Sequence, residues 1–528
     1  MAARFSMDEA RAALADAQSV IDTCVRKLVA DGTVDTEQVI AYDLAHAAAA
    51  IACGRAAADY GDKGGVEADL AAVFIAEAVY DVALKVTGRE AAWGVDPGVL
   101  DKALRLTAGG RDPQYMASLS GQQGARRLEG AMEMVQDTFR RFAEDKLKPV
   151  AEHIHRTNSD IPEDIISGIA ELGAFGLSVP EEYGGWATGD ANEYMSMVVA
   201  TEELSRGSLG AGGSLITRPE ILARALVAGG TEEQKHEWLP KLATGEIMAA
   251  VAVTEPDFGS DSGGVKTTAT RDGDDYVING VKTWCTFGAR GDVLMLMART
   301  GQEPKHRGLS LFIVPKQRGN GHGFEETQPG GGKMEGRAID TIGYRGMHSY
   351  EVSFDGWRVP AANLIGGEAG LNKGFYMQMK GFENGRLQTA ARAIGVMQAA
   401  YEAALDYAQN RIIFEQPLSA YQLTQAKLTK MAAIIQCARQ FSYQVARLMA
   451  TGRGAMEASL VKAYVCRAAE WVTREALQIH GGMGYAEEFP VSRYFVDARV
   501  LSIFEGADEL LALRVIIPFL VNPDRLNK

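Results

Sequence analysis

The sequence predicts a mainly α-helical protein with a central β domain and an added helical region at its N-terminus. Apolar residues recur with helical spacing over 8–110 and again over 126–247. Short β-type runs separated by Gly, Asn and Asp fill 249–365, and long amphipathic patterns return from 370 to 520. The change of period from helical to alternating and back predicts an α–β–α order of domains.

Composition excludes several classes of protein. Hydrophobic residues make up 47% and charged residues 23%, and the formal net charge is −14 without any Lys/Arg-rich tract. Such a balance is typical of globular proteins and argues against nucleic acid or an anionic membrane as partner. The 5 cysteines are widely spaced without a CxxC pair, so neither disulfides nor a metal site are expected. The first residues lack the apolar core of a signal peptide, so a cytoplasmic protein is expected.

The predicted boundaries are a helical extension over 1–115, an α-helical domain over 126–248, a β domain over 249–365 and a helical bundle over 366–528. Residues 109–125 are interpreted as a linker because they are rich in Gly and polar residues. Within the β domain, the Asn-Gly pair at 279–280 predicts a hairpin turn.

The N-terminal extension carries a faint echo of the C-terminal bundle. Residues 41–88 and 420–482 both read Ala-Tyr-x-Leu, an Ala-rich helix, Glu-Ala-x-Leu and a second helix. A true repeat and a chance match of two Ala-rich helix pairs both remain open.

Two segments of the β domain contain residues suited to a flat, polar-edged ligand. Thr254 and Ser260 lie on a Pro/Gly-containing turn, where a hydroxyl can bind a ligand or simply face solvent. Trp284 and Thr286 alternate, so they would share one face of a strand. A core tryptophan is the alternative interpretation.

Two further segments lie in the C-terminal helical region. Gln478, Gly481 and Gly482 end an amphipathic helix, either as a C-cap or as a site where the backbone approaches a phosphate closely. Arg411 and Phe414 lie at a helix break, where the arginine could pair with a phosphate or remain at the surface. The sequence has no Gly-rich dinucleotide or P-loop motif in the required context.

Glu505 lies between Phe504 and Gly506 at the start of an apolar helix. A carboxylate there could complement the helix dipole, although Asp508 and Glu509 could do so as well. It could instead act as a general base.

The order and spacing of these segments resemble the acyl-CoA dehydrogenase family. The resemblance covers about residues 126–520 and rests on "AVTEPDFGSDSGG", "KTWCTFG", "GRLQTAARAIGVMQAA", "QIHGGMGYAEEFPVSRYFVDAR" and "IFEGADEL". It implies FAD as cofactor, an acyl-CoA as substrate and an electron-transfer flavoprotein as partner. The implied FAD contacts, some made by a neighbouring subunit, are Val253, Thr254, Ser260, Trp284, Thr286, Arg411, Phe414, Gln478, Gly481 and Gly482. The implied acyl-CoA contacts are Glu383, Arg386, Phe504 and Gly506.

Glu505 matches the position at which most family members carry the catalytic base. The resemblance implies that it removes the α-proton while a hydride passes from the β-carbon to the flavin N5. The other position used in the family matches Gly385, which has no side chain. Departures from the family pattern are Phe287 in place of Asn, Glu415 in place of Gly, and Ala507 and Glu509 at positions that often bond the adenosine.

The extension resembles that of a family branch acting on a short branched acyl-CoA with a free carboxylate. Burying that carboxylate requires a cation, because an unpaired buried charge costs several kcal/mol (roughly). Arg218 and Arg224 are the candidates, and Arg218 is preferred because it follows an apolar run near a helix start; a solvated arginine is the alternative. Another short or branched acyl-CoA, an oxidase using O₂, and a DNA-associated flavoprotein without dehydrogenase activity are the other functions considered.

Assembly follows from the same features. If the extension mimics a partner bundle, it covers the surface through which family dimers form tetramers. We therefore expect a homodimer rather than a homotetramer, with residues 1–115 packed on the C-terminal bundle.

Overall fold

The structure, a computed structural model, describes residues 5–523 except for the side chains of Lys380, Phe382 and Glu383. The helices before the sheet are α1 (Met7–Ala30), α2 (Gln38–Gly61), α3 (Gly65–Val86), α4 (Glu90–Trp93), α5 (Asp101–Thr107), α6 (Pro113–Ser118), α7 (Ala131–Phe142), α8 (Lys148–Thr157), α9 (Glu163–Glu171), α10 (Ala191–Gly207), α11 (Arg218–Gly229) and α12 (Glu232–Thr244). The strands of the sheet are β1 (Ala249–Ala252), β2 (Thr268–Asp272), β3 (Asp275–Thr286), β4 (Val293–Arg299), β5 (Leu309–Pro315), β6 (Gly323–Thr327), β7 (Lys333–Ile339) and β8 (Ser349–Pro360).

Helices return after the sheet, interrupted by one small hairpin. They are α13 (Gly367–Gly370), α14 (Gly374–Asn410), α15 (Gln422–Met449), α16 (Ala455–Ile479), α17 (Gly482–Tyr485), α18 (Val491–Val500), α19 (Asp508–Leu510) and α20 (Ile517–Val521), with β9 (Ile412–Ile413) and β10 (Gln416–Pro417) forming the hairpin. The predicted fold class, helical with a central β domain and an N-terminal helical extension, is confirmed. None of the helices within residues 5–523 combines the length and apolar character needed to cross a lipid bilayer.

The chain divides into two compact units, one formed by 1–133 with 386–528 and the other by 134–385. In the first, α2 and α3 pack against α15 and α16. The facing surface of α2 is rich in fully buried alanines, which let the helix axes approach closely. At one edge, Glu77 on α3 accepts hydrogen bonds from Lys430 at 2.6 Å and Arg111 at 2.8 Å. The extension therefore packs on the C-terminal bundle of its own chain.

The segment 109–125, interpreted as a linker, is instead packed structure. Asp112 caps α6 by accepting the Tyr115 N–H at 2.8 Å, and Pro113 occupies the first helical turn. Both are ordinary helix-start signals that the polar composition obscured. Met116 is buried, and its carbonyl accepts the Thr429 hydroxyl at 2.8 Å, so the segment is fixed to α15.

The second unit is built on a sheet whose described strands follow the order β1-β4-β2-β3-β8-β7-β6, with β5 paired to β4. Alternate residues of β4 enter two different cores. Val293, Met295 and Met297 pack with α11 and α12, whereas Leu294 and Leu296 pack with β3 and β8. A strand with both faces covered explains the uninterrupted apolar run "VLMLMA".

The hairpin predicted at Asn279–Gly280 is wrong. Both residues lie inside β3, where the register with β8 shifts between Ile278 and Gly280. A Cβ on Gly280 would lie 2.6 Å from the Thr267 Oγ1, so the glycine permits a close approach at a bulge. The turn between β2 and β3 instead passes through Gly273, at φ 63°.

Candidate active site

A buried ion pair supports the turn that follows β1. Lys282 Nζ donates to Glu255 Oε1 at 2.8 Å and to the Val253 carbonyl at 3.0 Å. The Glu255 carboxylate also accepts two backbone N–H groups, at 2.7 and 2.8 Å. The side chains of Lys282 and Glu255 are 0% and 7% exposed. The pair therefore fixes the turn that carries Val253 and Thr254.

The two charges of this pair shift each other's pKa. Burial raises the pKa of Glu255. The charge and hydrogen bond of Lys282 lower this pKa by more than burial raises it, so the net shift is downward. Burial lowers the pKa of Lys282 below its ordinary value despite the attraction of Glu255. Sequence reasoning missed both residues, although "VTEPDF" and "GVKTW" each place a charge within an apolar strand context.

Strained backbone marks the end of β3. Its register with β8 shifts again between Lys282 and Cys285, and Trp284 in this bulge has φ 57°. The Trp284 side chain is 54% exposed, whereas the Thr286 hydroxyl lies 3.0 Å from the Ser349 hydroxyl. Phe287, where the family carries Asn, is buried at φ 68°.

The turn after β1 lies against this end of β3. The Thr283 N–H donates to the Thr254 carbonyl at 2.8 Å. Thr254 is half-buried and Ser260, farther along the turn, is exposed. The structure thus joins Thr254 to the residue that precedes Trp284, whose indole is exposed.

Arg218 is buried at the start of α11, after an interrupted helix. Residues Leu209–Ser214 form a π-helical turn, a form that is frequent at functional sites. The Arg218 guanidinium is 5% exposed and donates to the Ser214 carbonyl and the Thr217 hydroxyl, both at 3.2 Å. Among the described side chains it has no carboxylate partner. The alternative of a solvated arginine is therefore wrong.

Arg224 has different neighbours. Its Nε donates to Glu220 at 2.7 Å and its guanidinium reaches Glu193 at 3.3 Å. Burial lowers the pKa of Arg224, but the charges of these glutamates raise it more, so the net shift is upward. Arg224 is thus committed to ion pairs within the chain. The side chain of Glu383, expected to meet the acyl-CoA, lies outside the described part of the structure.

Glu505 lies in a tight loop of the other unit, in the left-handed region. Its φ is 54°, and that of Gly506 is 97°. The loop is closed by the Asp508 N–H, which donates to the Ser502 carbonyl at 3.0 Å. From α16, Lys462 Nζ donates to the Gly506 carbonyl at 2.7 Å while its side chain is 1% exposed.

Charged groups surround this loop. Burial lowers the pKa of Lys462, Glu505 counteracts that shift and Arg386 adds to it, so the three charges are close together. Arg386 also donates to the Ser459 hydroxyl at 3.3 Å. The guanidinium of Arg392 lies 5.5 Å from the centre of the Phe504 ring. Arg386 therefore lies near the Glu505 loop.

The hairpin of β9 and β10 presents an exposed aromatic. Its two-residue turn consists of Phe414 and Glu415, with φ 42° and 69°. Turns of this kind favour Asn-Gly because both residues are left-handed. The Phe414 side chain is 91% exposed, so nothing within this unit repays the strain by burying it.

A stacked pair of rings joins the last turn of α14 to the end of α16. Tyr407 and His480 have ring centroids 4.3 Å apart, and both lie close in sequence to predicted ligand residues. Gly481 has φ 57°, and a Cβ on it or on Gly482 would meet no atom within 4 Å. Arg411 and Gln478 are exposed nearby in the chain. The bundle therefore presents open glycine backbone and polar side chains at its surface.

Comparison with protein families accounts for most of the chain. Residues 130–246 match the N-terminal domain of acyl-CoA dehydrogenases, 250–357 the middle domain and 372–517 the C-terminal domain. This chain belongs to the acyl-CoA dehydrogenase family. It is accordingly an oxidoreductase with acyl-CoA dehydrogenase activity, and its cofactor is FAD.

Individual acyl-CoA dehydrogenases and related structures support the assignment. The chain is 46% identical over 410 residues to (2S)-methylsuccinyl-CoA dehydrogenase of Cereibacter sphaeroides, covering 77% of this chain and 72% of that one. The solved butyryl-CoA dehydrogenase of Megasphaera elsdenii matches with a TM-score of 0.68 at 30% identity, over 75% of this chain and 99% of that one. A glutaryl-CoA dehydrogenase of Mycobacterium smegmatis in complex with FADH2 matches with a TM-score of 0.66 at 27% identity, over 75% and 95%.

Features of this chain fit the FAD expected of an acyl-CoA dehydrogenase. The exposed indole of Trp284 offers a flat apolar surface, and Thr254 and Thr286 on the adjoining backbone carry hydroxyls, a combination that suits an isoalloxazine ring. Open backbone at Gly481 and Gly482 suits a diphosphate, because no side chain obstructs the approach. The residues present therefore fit the cofactor.

Substitutions in the Lys282–Glu255 pair test whether it stabilises the turn after β1. Lys282→Met should destabilise the protein by about 3–5 kcal/mol, because Glu255 would stay buried without its cation. Adding Glu255→Gln should restore part of the loss, since the orphaned charge is removed. Thermal unfolding and retained FAD measure both effects, and a Lys282→Met variant as stable as wild type would contradict them.

The pH dependence of the wild-type protein has a defined sign. The folded-state pKa of Glu255 is below its ordinary value of 4.5. The stability that the Glu255 carboxylate contributes to the fold is therefore fully present above pH 4.5, and it is lost as the pH falls through the folded-state pKa.

Proposed function

We propose that the chain oxidises (2S)-methylsuccinyl-CoA to mesaconyl-CoA, a reaction of the bacterial ethylmalonyl-CoA pathway, with Glu505 as the base. The observation that carries the choice of substrate is Arg218, a buried guanidinium that has neutral oxygens as neighbours and no carboxylate among the described side chains. A buried cation of this kind gains most from a ligand that brings its own carboxylate. The identity to a relative named for this substrate supports the same choice.

Glu505 carries the proposed proton transfer. The α-proton of a thioester is weakly acidic, so the carboxylate must be held within hydrogen-bond reach of it. Two features orient the Glu505 carboxylate relative to its loop. They are the left-handed backbone at Glu505 and the hydrogen bond from Lys462 to the Gly506 carbonyl. We propose that the Glu505 N–H donates to the thioester oxygen and stabilises enolate charge. FAD, when bound, supplies the acceptor for the β-hydrogen and its electron pair.

The FAD-binding residues divide between the two units. In the β domain we assign the ring contacts to Val253, Thr254, Ser260, Trp284 and Thr286. In the bundle we assign the diphosphate and adenosine contacts to Arg411, Phe414, Gln478, Gly481 and Gly482, partly toward the FAD of a neighbouring subunit. The exposed, strained turn at Phe414 supports this assignment, since a partner's ligand would bury the ring. We propose Arg386, Glu383, Phe504 and Gly506 as acyl-CoA contacts, and an electron-transfer flavoprotein as electron acceptor.

The base assignment predicts the behaviour of Glu505→Gln. The amide keeps the shape of the side chain but cannot take the α-proton, so flavin reduction by substrate should slow by at least about 10²–10⁴-fold. FAD content and thioester binding should be retained. Stopped-flow bleaching of the bound flavin under anaerobic conditions measures the rate.

Glu129→Gln provides the matched control, because it removes an exposed carboxylate outside the segments assigned to FAD or substrate. It should reduce flavin at the wild-type rate. A Glu505→Gln variant that kept a tenth of wild-type turnover would refute the base assignment.

Arg218→Ala tests the substrate. It should raise the half-saturating concentration of methylsuccinyl-CoA by roughly 10- to 100-fold, the worth of a hydrogen bond between charged groups. Butyryl-CoA has no second carboxylate, so its value should change little. Steady-state assays of both thioesters on the same preparation give the comparison, and an equal effect on both would assign Arg218 a structural role. A wild-type preference for butyryl-CoA would reject the proposed substrate while leaving the family unaffected.

For assembly we propose a homodimer with shared FAD sites. The packing of α2 and α3 on α15 and α16 supports it, because these bundle faces are already covered within the chain. Light scattering of the full chain should give the mass of a dimer, and a chain lacking residues 1–115 should form tetramers or larger species. A tetramer of the full chain would contradict the proposal.

A further inference from the structure

The N-terminal extension makes a direct contact with the loop that carries Glu505. Tyr42 on α2 donates its hydroxyl to Asp508 Oδ2 at 2.5 Å, and His46 Nε2 lies 3.1 Å from the same oxygen. The two donors are one helical turn apart, so they share a face of α2. Because an ionised carboxylate only accepts hydrogen bonds, the Nε2 of His46 carries the proton in this contact.

The contact is shielded from solvent. The side chains of His46 and Asp508 are 4% and 12% exposed. The rings of Tyr42 and His46 meet edge to face with centroids 4.5 Å apart. Burial raises the pKa of Asp508, but the hydrogen bond and charge of His46, the hydrogen bond of Tyr42 and the charge of Arg467 lower it more, so the net shift is downward. Asp508 therefore accepts both hydrogen bonds as a carboxylate at neutral pH.

The loop needs such support from outside. Glu505 has a left-handed φ of 54°, which is a strained conformation for a residue other than glycine. A cavity of about 290 Å³ lies beside the loop, lined by Tyr42, Arg467, Glu470, Ser502, Ile503 and Asp508 among others. On that side the loop borders a cavity rather than a packed core. Lys462 holds the Gly506 carbonyl from α16, and the contacts to Asp508 hold the next segment from α2.

We propose that Tyr42 and His46 are positioning residues, which hold the Glu505 loop in its reactive conformation through Asp508. The extension thereby becomes part of the support of the catalytic base in addition to covering the bundle. The consequence for catalysis rests on the proposed role of Glu505. Displacement of a base by about 1 Å can cost up to about 10²-fold in rate, so a modest loosening of the loop is enough to be measured.

The experiment compares full-length, FAD-loaded variants. Tyr42→Phe removes one donor, His46→Gln replaces the ring by a shorter amide, and Glu77→Gln is the matched control. Glu77 joins the extension to the bundle through Lys430 and Arg111 and takes no part in the contact with Asp508. Hydrogen–deuterium exchange of a peptide covering 500–510 reports on the loop itself. Single-turnover flavin reduction at several substrate concentrations reports on its consequence.

Tyr42→Phe should accelerate exchange in 500–510 and lower the maximal rate of flavin reduction by about tenfold, with the half-saturating substrate concentration within about twofold of wild type. His46→Gln should act in the same direction. Glu77→Gln should change neither quantity, whatever it does to overall stability.

Three results would overturn the proposal. Exchange in 500–510 that is unchanged in both Tyr42→Phe and His46→Gln would show that the contact does not hold the loop. Faster exchange with an unchanged rate of flavin reduction would show that the holding is irrelevant to catalysis. Equal effects of Glu77→Gln would indicate a general loosening of the extension. Failure of the base assignment is distinguishable, because Glu505→Gln would then reduce flavin normally while exchange still responded to Tyr42→Phe.

Discussion

The candidate active site depends on backbone conformations that only surrounding contacts can hold. Trp284, Phe287, Phe414, Glu415 and Glu505 all have φ between 42° and 69°. Each costs of order 1–3 kcal/mol, and such residues persist only where neighbouring structure over-determines them. In the β domain the support is the buried Lys282–Glu255 pair, and at Glu505 it is Lys462 together with the hydrogen bonds to Asp508. At Phe414 the ring is exposed, so burial of this side chain within its own unit does not offset the strain.

The sequence predicts the order of the domains well because hydrophobic period is a local property. The helical spacing before 248 and after 366, and the alternating runs between them, correspond to α7–α12, the sheet and α14–α16. Prediction of local structure failed where one sequence signal is compatible with two structures. Asn279–Gly280 is as suitable for a bulge as for a hairpin, and the polar composition of 109–125 obscured the cap at Asp112.

The supports of the site could not be predicted, since they join distant residues. Lys282 and Glu255 are separated by 27 positions, and Tyr42 and Asp508 by 466. Spacing along a chain carries no information on such pairs. The same holds for the neighbours of Arg218 and Arg224, between which the sequence offers only the position of Arg218 near a helix start. Their neighbours in the fold distinguish the two. The Arg224 guanidinium is neutralised by two glutamates, whereas that of Arg218 faces neutral oxygens. The electrostatic difference between the two arginines thus lies in what surrounds each cation rather than in the cation.

The first compact unit is discontinuous, since 134–385 separates its two parts. At about 5–20 residues per second, a ribosome needs tens of seconds to add that insertion and the helices that follow it. During this interval α2 and α3 have no C-terminal bundle to cover their alanine-rich faces, and their available partners are each other, α1, α5 and the turn at 108–111. Closing a unit across so long an insertion is slow in comparison with local helix pairing. The newly synthesised pair of helices α2 and α3 is thus the part of the chain most exposed to chaperones and to misassociation between chains.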